Sequence, residues 1–414
     1  MKKLLTILLV VALSLTLCCG LVACNKNNTD NKNNTEFKVG LICLHGESST
    51  YDKNFIDAFK AGCQAKGVEL VIKTDIHETN ECYETAEDLV DQGCNIIFAD
   101  SFGHEAFLYQ AAQEHKDVTF AHATGTTAHT KKLDNFVNAF ASIYEGRYLA
   151  GVAAGLKLSE MEAAGQITDK NLDENGAIII GYVGAYTYAE VISGYTSWYL
   201  GVKAGYTGDK DITMKVQFTG TWYNETDEKS AAEALISAGA ALISQHADSM
   251  GAPTACENAG VPNVSYNGST ATACPNTFIV SSRINWQVYC EYLIDTVKAG
   301  KKVDTDWTGT IDDNSVVLTD LGNAAAANTQ TRLNEVKAQL ANGSLKVFDC
   351  SKFTVNGKHL TEYKADVDTD AEYTPDTEVI KTENGVTYFA ESEFRSAPYF
   401  DIRIDGIVLL NEKY

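Results

Sequence analysis

The strongest constraint on the fold is a regular alternation of short apolar runs with amphipathic helical segments. The first run, FKVGLICL, begins at Phe37, and the runs VELVIKT, CNIIFAD and VTFAHAT follow, each after a helical segment. Runs that are apolar throughout are typical of strands covered on both faces of a sheet. The alternation therefore predicts a parallel sheet with helices on both sides.

The same alternation restarts after a charged stretch at 159–175, with the runs AIIIGYVGA, ITMKVQFTG, ALISQHA and VPNVSYNG. We predict a two-lobed α/β protein of the type I periplasmic-binding-protein kind, in which each lobe is a doubly wound parallel sheet. The first lobe is expected to comprise residues 37–158 and 276–303, and the second residues 159–275. Ligands bind outside the carboxyl ends of such strands, so the two lobes should share a cleft.

The remaining residues, 304–414, have a different pattern. They contain the strand-like run SVVLT, a helical segment at 328–340, and the short strand-like pieces LKVFD, FTVNG and GVTYF. Acidic stretches such as ADVDTDAEYTPDTE separate these pieces. We predict a crossover segment followed by a β-rich C-terminal elaboration with an exposed, mobile acidic loop.

The first residues have the layout of a secretory signal peptide. Lys2 and Lys3 precede a long apolar run that ends in the sequence LVAC. This ending resembles a bacterial lipobox and predicts cleavage after residue 23 and lipid attachment to the Cys24 thiol, although an uncleaved anchor helix is an alternative. The polar stretch 24–36 suits a flexible tether. We expect an extracytoplasmic chain held on the cell membrane by the lipid.

Composition and motifs exclude several classes of function. The net charge of −22 disfavours a nucleic-acid partner. The histidines lack zinc-ligand spacing, and neither a phosphate-binding loop nor a G-x-S-x-G elbow occurs. Among the eight cysteines beyond Cys24, the apolar company of Cys43, Cys63 and Cys94 indicates small buried side chains, with a disulfide as an alternative in an extracytoplasmic chain. We therefore expect no enzyme, no catalytic residues, no metal and no cofactor.

Polar and aromatic residues follow the predicted strands in both halves, where a parallel sheet binds its ligands. The candidate ligand-binding residues are Tyr51, Phe55, Ser101, Phe102, Glu190, Trp222, His246, Asp248 and Asn267. Aromatic rings that cover the faces of a ligand, with carboxyl and amide groups at its edge, suit a planar polar molecule.

Each candidate also has a purely structural explanation. Phe55 fits the apolar periodicity of its helix, and Trp222 lies in a polar loop where it could serve as a packing anchor. Asp248 could cap the following helix. His246 could be a structural histidine, and Glu190 could simply favour the helix dipole.

Several longer stretches carry a family pattern. They are SFGHEAF from Ser101, YEGRYLAGVAAG from Tyr144, IIGYVGAYTYAEVISGYTSWYLGVKAG from Ile179, TWYNETDEKSAAEALISAGA from Thr221, QHADS from Gln245 and NW at Asn285. In this order, from Phe37 to about Trp307, the chain resembles the basic membrane protein (BMP) family of substrate-binding lipoproteins, in the branch with Gln-His-Thr-Asp-Ser.

The resemblance implies an ABC-importer receptor that binds a purine nucleoside or, as in some members, a purine base or riboflavin between two hinged lobes. The family pattern D-K-S-F-N corresponds to residues 52–56, which implies that Phe55 stacks on one face of the base. A second-lobe aromatic stacks on the other face and corresponds to Trp222. An ABC permease is the implied partner, and we expect a monomer.

Departures from the family favour a base, or another planar ligand, over a nucleoside. Nucleoside-binding members hold the ribose with an Asp in a D-x-D-Q segment, whereas residues 265–268 here are S-Y-N-G, without a carboxylate. A family lysine is replaced near Asn285, and Gly46 and Glu47 stand where an early Asp is expected. Other classes remain open: a ligand sensor that docks a receptor kinase, a nucleoside hydrolase, and a surface antigen.

Overall fold

The computed structural model describes residues 37–366 and 377–414. The predicted signal peptide, the tether and Cys24 lie outside these residues, as does most of the predicted acidic loop. Among the described residues, no helix is both long enough and apolar enough to cross a membrane.

The strands of both halves follow the apolar runs of the sequence. In chain order they are β1 (Lys38–Ile42), β2 (Glu69–Lys73), β3 (Ile96–Ala99), β4 (Thr119–Ala123), β5 (Phe136–Ala141), β6 (Ile178–Gly184), β7 (Ile212–Phe218), β8 (Ile243–Gln245), β9 (Asn263–Tyr266), β10 (Phe278–Ile284), β11 (Asp306–Gly309), β12 (Val316–Leu318), β13 (Lys364–Ala365), β14 (Thr377–Glu378), β15 (Ile380–Glu383), β16 (Val386–Phe389) and β17 (Ile407–Leu409).

Helices connect most of the strands. They are α1 (Thr50–Lys66), α2 (Asn80–Asp91), α3 (Glu105–Glu114), α4 (Thr127–Lys131), α5 (Ile143–Ala163), α6 (Ala189–Gly205), α7 (Glu225–Ser237), α8 (Gly251–Ala259), α9 (Trp286–Lys298) and α10 (Thr329–Ala341), with short 3-10 turns at Phe102–His104 and Asp169–Asn171.

The strands form two large sheets. The first has the order β11-β5-β4-β3-β1-β2 and is parallel throughout. The second has the order β12-β10-β9-β8-β6-β7-β17, in which only β12 is antiparallel to its neighbour. Both contain the doubly wound arrangement in which the strand order reverses beside the first strand, at β1/β3 and at β6/β8. The predicted fold class is confirmed.

The chain crosses between the sheets after β5, after β10 and after β11, so the lobes are divided differently from our expectation. Strand β10 pairs with β9 in the second sheet, although residues 276–303 were assigned to the first lobe. Only α9 of that segment packs in the first lobe, against α1. Helix α5 packs against α6, so it belongs to the second lobe. The apolar pattern of β10 does not distinguish between the two sheets. The strand pairs with β9, whose edge is free.

Small residues explain how α5 and α6 pack so closely. A Cβ at Gly151 would collide with the carbonyl oxygen of Trp198, and one at Gly201 with the carbonyl oxygen of Tyr148. The glycines in AGVAAG and LGVKAG therefore allow the two backbones to touch, which fixes α5 on the second lobe.

The C-terminal region adds short strands, but fewer than the sequence suggests. The pieces LKVFD and FTVNG form turns with isolated bridges rather than strands. Their aromatic side chains instead pack into the main hydrophobic core, where Phe348 stacks on Phe400 with ring centroids 4.2 Å apart. The pieces SVVLT and GVTYF do form strands, β12 and β16. The eight cysteines of the described residues are all buried and free.

Candidate functional site

A cavity lies between the lobes, at the carboxyl ends of both sheets. It lies where each strand order reverses, which is the usual ligand position in this architecture. The lining residues come from both lobes: Leu44, His45, Tyr51, Asp52, Ser101, Phe102, Thr124, Glu190, Trp222, His246, Asp248, Tyr266 and Asn267.

The predicted site residues all line this cavity, with the exception of Phe55. The Phe55 side chain has no exposed surface and stacks on Trp286 with ring centroids 4.4 Å apart. Tyr51, one turn nearer the start of α1, faces the cavity and packs edge-on against Phe55 at 4.9 Å. The expectation that Phe55 meets the ligand therefore needs correction, because the ring lies one layer below the cavity wall.

The first turn of α1 brings a buried carboxylate to the cavity. Asp52 accepts hydrogen bonds from the backbone N–H of His45 at 2.7 Å and from the Ser49 hydroxyl at 2.6 Å. Burial alone would raise the pKa of Asp52, but the hydrogen bonds from His45 and Ser49 outweigh it and hold the pKa below its ordinary value. Asp52 thus presents a fixed negative charge to the cavity.

Behind Asp52 lies a second buried acid, Asp100. Burial, together with the neighbouring charge of Asp52, raises the pKa of Asp100 well above its ordinary value. One donor atom from each of Cys43, Asp52 and Asp100 lies within 4.8 Å of the others, so the cluster has donor types that could hold a metal. Without a cation, the raised pKa favours a neutral Asp100.

Aromatic residues form the second-lobe wall around Trp222. Tyr186 packs against Trp222 with ring centroids 5.0 Å apart, and Tyr188 lies 6.0 Å from it. The two tyrosines stack on each other at 5.1 Å, and Tyr188 reaches Phe102 of the first lobe at 5.7 Å. Trp222 is therefore half-buried among rings that orient it toward the cavity.

Glu190, in the first turn of α6, is connected to the strand ends beside it. Its Oε1 lies 3.2 Å from Nε2 of His246 and 3.4 Å from the Tyr266 hydroxyl. The guanidinium of Arg147, fully buried, lies 4.8 Å from the centre of the Tyr266 ring and donates to the Tyr182 hydroxyl. A buried positive charge thus lies directly behind this acidic wall of the cavity.

Asp248 and Asn267 come from neighbouring strand ends and meet at 3.2 Å, with the Asn267 amide as donor. Burial, together with the nearby carboxylates of Asp52 and Glu228, raises the pKa of Asp248 well above its ordinary value. The backbone carbonyl of Asp248 also accepts from the Thr50 N–H at 3.0 Å, so this residue links the two lobes.

Sequence reasoning left Leu44, His45, Asp52, Thr124 and Tyr266 out of the proposed site. Thr124 directly follows β4, and Leu44 and His45 lie in the loop after β1, so the rule that found the other candidates also applies to these three. Thr124 carries a further signal that only coordinates reveal, since this β-branched residue has a φ of 65°. Such backbone strain is typical of functional sites.

The chain has a clear family match. A family model named Bmp, described as ABC transporter substrate-binding protein PnrA-like, matches residues 44–349, which include every lining residue of the cavity. The chain belongs to the Bmp family. Members are solute-binding proteins of ABC transporters, which agrees with a cavity enclosed by two lobes.

Two relatives are named for different ligands. A protein of Haloferax volcanii, provisionally named as an ABC transporter glucose-binding protein, is 26% identical over 63% of this chain and 60% of its own length. A purine-binding protein of Brucella abortus is 29% identical over 56% of this chain and 59% of its own length. This Bmp protein thus spans about three fifths of the length of each relative.

Solved structures share the fold. An ABC transporter solute-binding protein from Conexibacter woesei matches 75% of this chain and 98% of its own, with a TM-score of 0.60 at 18% identity. One from Aeropyrum pernix matches 78% and 94%, with a TM-score of 0.61 at 16% identity. At these identities the similarity concerns the fold alone.

Proposed function

We propose that this Bmp protein is the extracytoplasmic receptor of an ABC importer and binds a purine base or nucleoside in the cavity between its lobes. The observation that supports this most is the half-buried Trp222 at a cavity wall that also carries carboxyl and amide groups. Stacking of one base on an aromatic ring contributes roughly 1–3 kcal/mol.

The charges of the lining residues favour a ligand rich in N–H donors. Asp52, Glu190 and Asp248 contribute carboxyl groups, and no lysine or arginine is among the lining residues of this cavity. A phosphate or carboxylate in the ligand would face these acids without a cation to pair with. The raised pKa of Asp248 lets its carboxyl both donate and accept a hydrogen bond, which suits the edge of a purine ring.

Tyr51 takes the position that we expected for Phe55 and is our candidate for the first-lobe ring against the ligand. Its hydroxyl donates to the backbone carbonyl of Asp100 at 2.8 Å, which fixes the ring at the cavity wall. Asn267 carries the amide where nucleoside-binding members are expected to have a carboxylate for the ribose. For this reason we propose a free base as the preferred ligand, with a nucleoside or a riboflavin-like heterocycle as alternatives.

A thermal-shift titration tests the ligand. The chain from Asn25 onward is unfolded, freed of carried-over small molecules, refolded and titrated with adenine, hypoxanthine, their nucleosides, riboflavin and glucose. Ligand binding to the folded state raises the melting temperature by mass action. A rise with purine bases supports the proposal, whereas a rise with glucose alone would contradict it. A stronger response to nucleosides would change the ligand from base to nucleoside.

We also propose that the lipid on Cys24 holds the protein on the outer side of the cell membrane, beside an ABC permease. Two acyl chains provide stable anchoring, which a single chain does not. Intact-mass measurement of the protein extracted from membranes should show a chain that begins at Cys24 and carries added lipid mass. A chain that still begins at Met1, without lipid mass, would favour the uncleaved anchor helix.

A further inference from the structure

Residues 407–413, which we call the brace, add an outer strand to the sheet of the second lobe. Strand β17 pairs in parallel with β7, with Ile407 opposite Met214 and Leu409 opposite Val216. The pairing continues as the N–H of Leu410 donates to the carbonyl of Val216 at 2.8 Å. The brace lies beyond residue 349, where the family match ends.

Asn411 of the brace holds the last residue of β7 with its side chain. The N–H of Phe218 donates to Asn411 Oδ1 at 2.7 Å, and Asn411 Nδ2 donates to the carbonyl of Phe218 at 2.8 Å. One side-chain amide thus satisfies both backbone groups at the point where β7 ends. The chain then turns through Gly220, whose φ is 82°, and reaches Trp222 two residues later.

The brace also holds the loop that carries Tyr186 and Tyr188. Thr187, between these tyrosines, donates its N–H to the carbonyl of Lys413 at 2.7 Å, and its hydroxyl accepts from the Lys413 N–H at 2.9 Å. The two loops are joined to each other as well, since the N–H of Gly220 donates to the carbonyl of Ala185 at 2.9 Å. Both loops of the aromatic wall are therefore attached to one segment.

We propose that the brace positions the aromatic wall of the cavity, with Asn411 and Thr187 as the positioning residues that fix the orientation of Trp222. The inference rests on the proposed function, because it assigns this orientation a role in ligand binding. Loops that are ordered before binding lose less conformational freedom when the ligand arrives, which raises affinity. Asn411 acts through Phe218 and the turn that follows, without a position in the cavity lining itself.

The test compares Asn411→Ala with wild type by calorimetric titration of adenine and hypoxanthine. Loss of two hydrogen bonds that order the wall should weaken binding about tenfold. The matched control is Leu410→Ala, because the Leu410 side chain is 46% exposed and its backbone bond to Val216 remains. Affinity of Asn411→Ala within twofold of wild type would overturn the proposal.

A fluorescence measurement separates positioning from general destabilisation. Acrylamide quenching of Trp222 is obtained as the difference between each protein and the same protein with Trp222→Phe. We expect Asn411→Ala to increase this difference while Leu410→Ala leaves it unchanged. Weaker binding with unchanged quenching would overturn the proposal.

Two further provisions cover a variant that does not fold and a wild type that binds no purine. If Asn411→Ala does not fold, Thr187→Val replaces it, since valine keeps the shape of threonine but removes the acceptor for the Lys413 N–H. If wild type binds no purine, the proposed function fails, and the quenching comparison alone decides whether the brace orients Trp222.

Discussion

At the scale of single residues, Tyr51 and Phe55 differ in their contact with the cavity although they are neighbours on one helix. The two rings lie one helical turn apart on α1 and pack against each other, yet only Tyr51 lines the cavity. Tyr51 lies nearer the start of the helix and its hydroxyl finds a partner in the Asp100 carbonyl. Phe55, without a polar atom, joins Phe98 and Trp286 in the core.

This arrangement predicts different consequences for the two positions. Phe55→Leu should lower the free energy of unfolding by about 1–2 kcal/mol, because the core loses ring contacts, and should leave ligand affinity nearly unchanged. Tyr51→Leu should weaken ligand binding instead. Urea unfolding and calorimetric titration of both variants measure the two effects. A large loss of affinity in Phe55→Leu with unchanged unfolding energy would contradict the placement of Phe55.

The residues that could be predicted from sequence are those that follow a strand end. His246, Asp248 and Asn267 come directly after β8 and β9, so one topological rule was enough to find them. Tyr266 was missed because it is the last residue of its strand, and a strand residue that faces a cavity has the same local pattern as one that faces the core. Phe55 was assigned to the ligand by the family resemblance, whereas the apolar periodicity of its helix also allowed the buried position that the structure shows.

At the scale of elements, local sequence predicts strands better than it predicts their partners. The strand pattern of β10 was recognised, but its sheet depends on which edge is free after β9 has been placed. Helix α5 likewise belongs to the second lobe through its glycine contacts with α6. Pairings such as β17 with β7 join residues almost two hundred positions apart and leave no local signal in the sequence.

One contact between the C-terminal region and α6 has a predictable pH dependence. Glu391 follows β16, is almost fully buried and accepts a hydrogen bond from the Ser193 hydroxyl at 2.5 Å. Burial raises the pKa of Glu391 from its ordinary value of 4.5 to about 7. Between these two values the folded chain binds more protons than the unfolded chain, so stability falls as the pH rises from 4.5 to 7.

Glu391→Gln should remove this part of the pH dependence. At about 1.4 kcal/mol per pKa unit, the variant should gain up to about 3 kcal/mol relative to wild type between pH 5 and pH 8. Urea unfolding at the two pH values measures the difference, and Glu174→Gln is the matched control because Glu174 is exposed. An identical pH dependence in Glu391→Gln and wild type would show that folding does not raise the pKa of this carboxyl.

At the scale of the whole molecule, the lobes meet around the cavity through contacts that a ligand can strengthen. Thr50 of the first lobe donates to the Asp248 carbonyl at 3.0 Å, and His45 approaches Tyr223 with ring centroids 5.3 Å apart. Asn54 donates to the carbonyl of Ile284 beside one of the crossings. A ligand that contacts both walls adds to these interactions and shifts the population toward the closed form.

We propose that the cavity between the lobes holds a purine against Trp222, and calorimetric titration of adenine and hypoxanthine into wild type and Trp222→Ala tests this most directly. We expect micromolar or tighter binding by wild type, about −8 kcal/mol, and a loss of roughly 1–3 kcal/mol in Trp222→Ala. Trp307→Phe, outside the cavity lining, should bind as wild type does. Equal affinity in Trp222→Ala and wild type, or no binding of either base by refolded wild type, would contradict the claim.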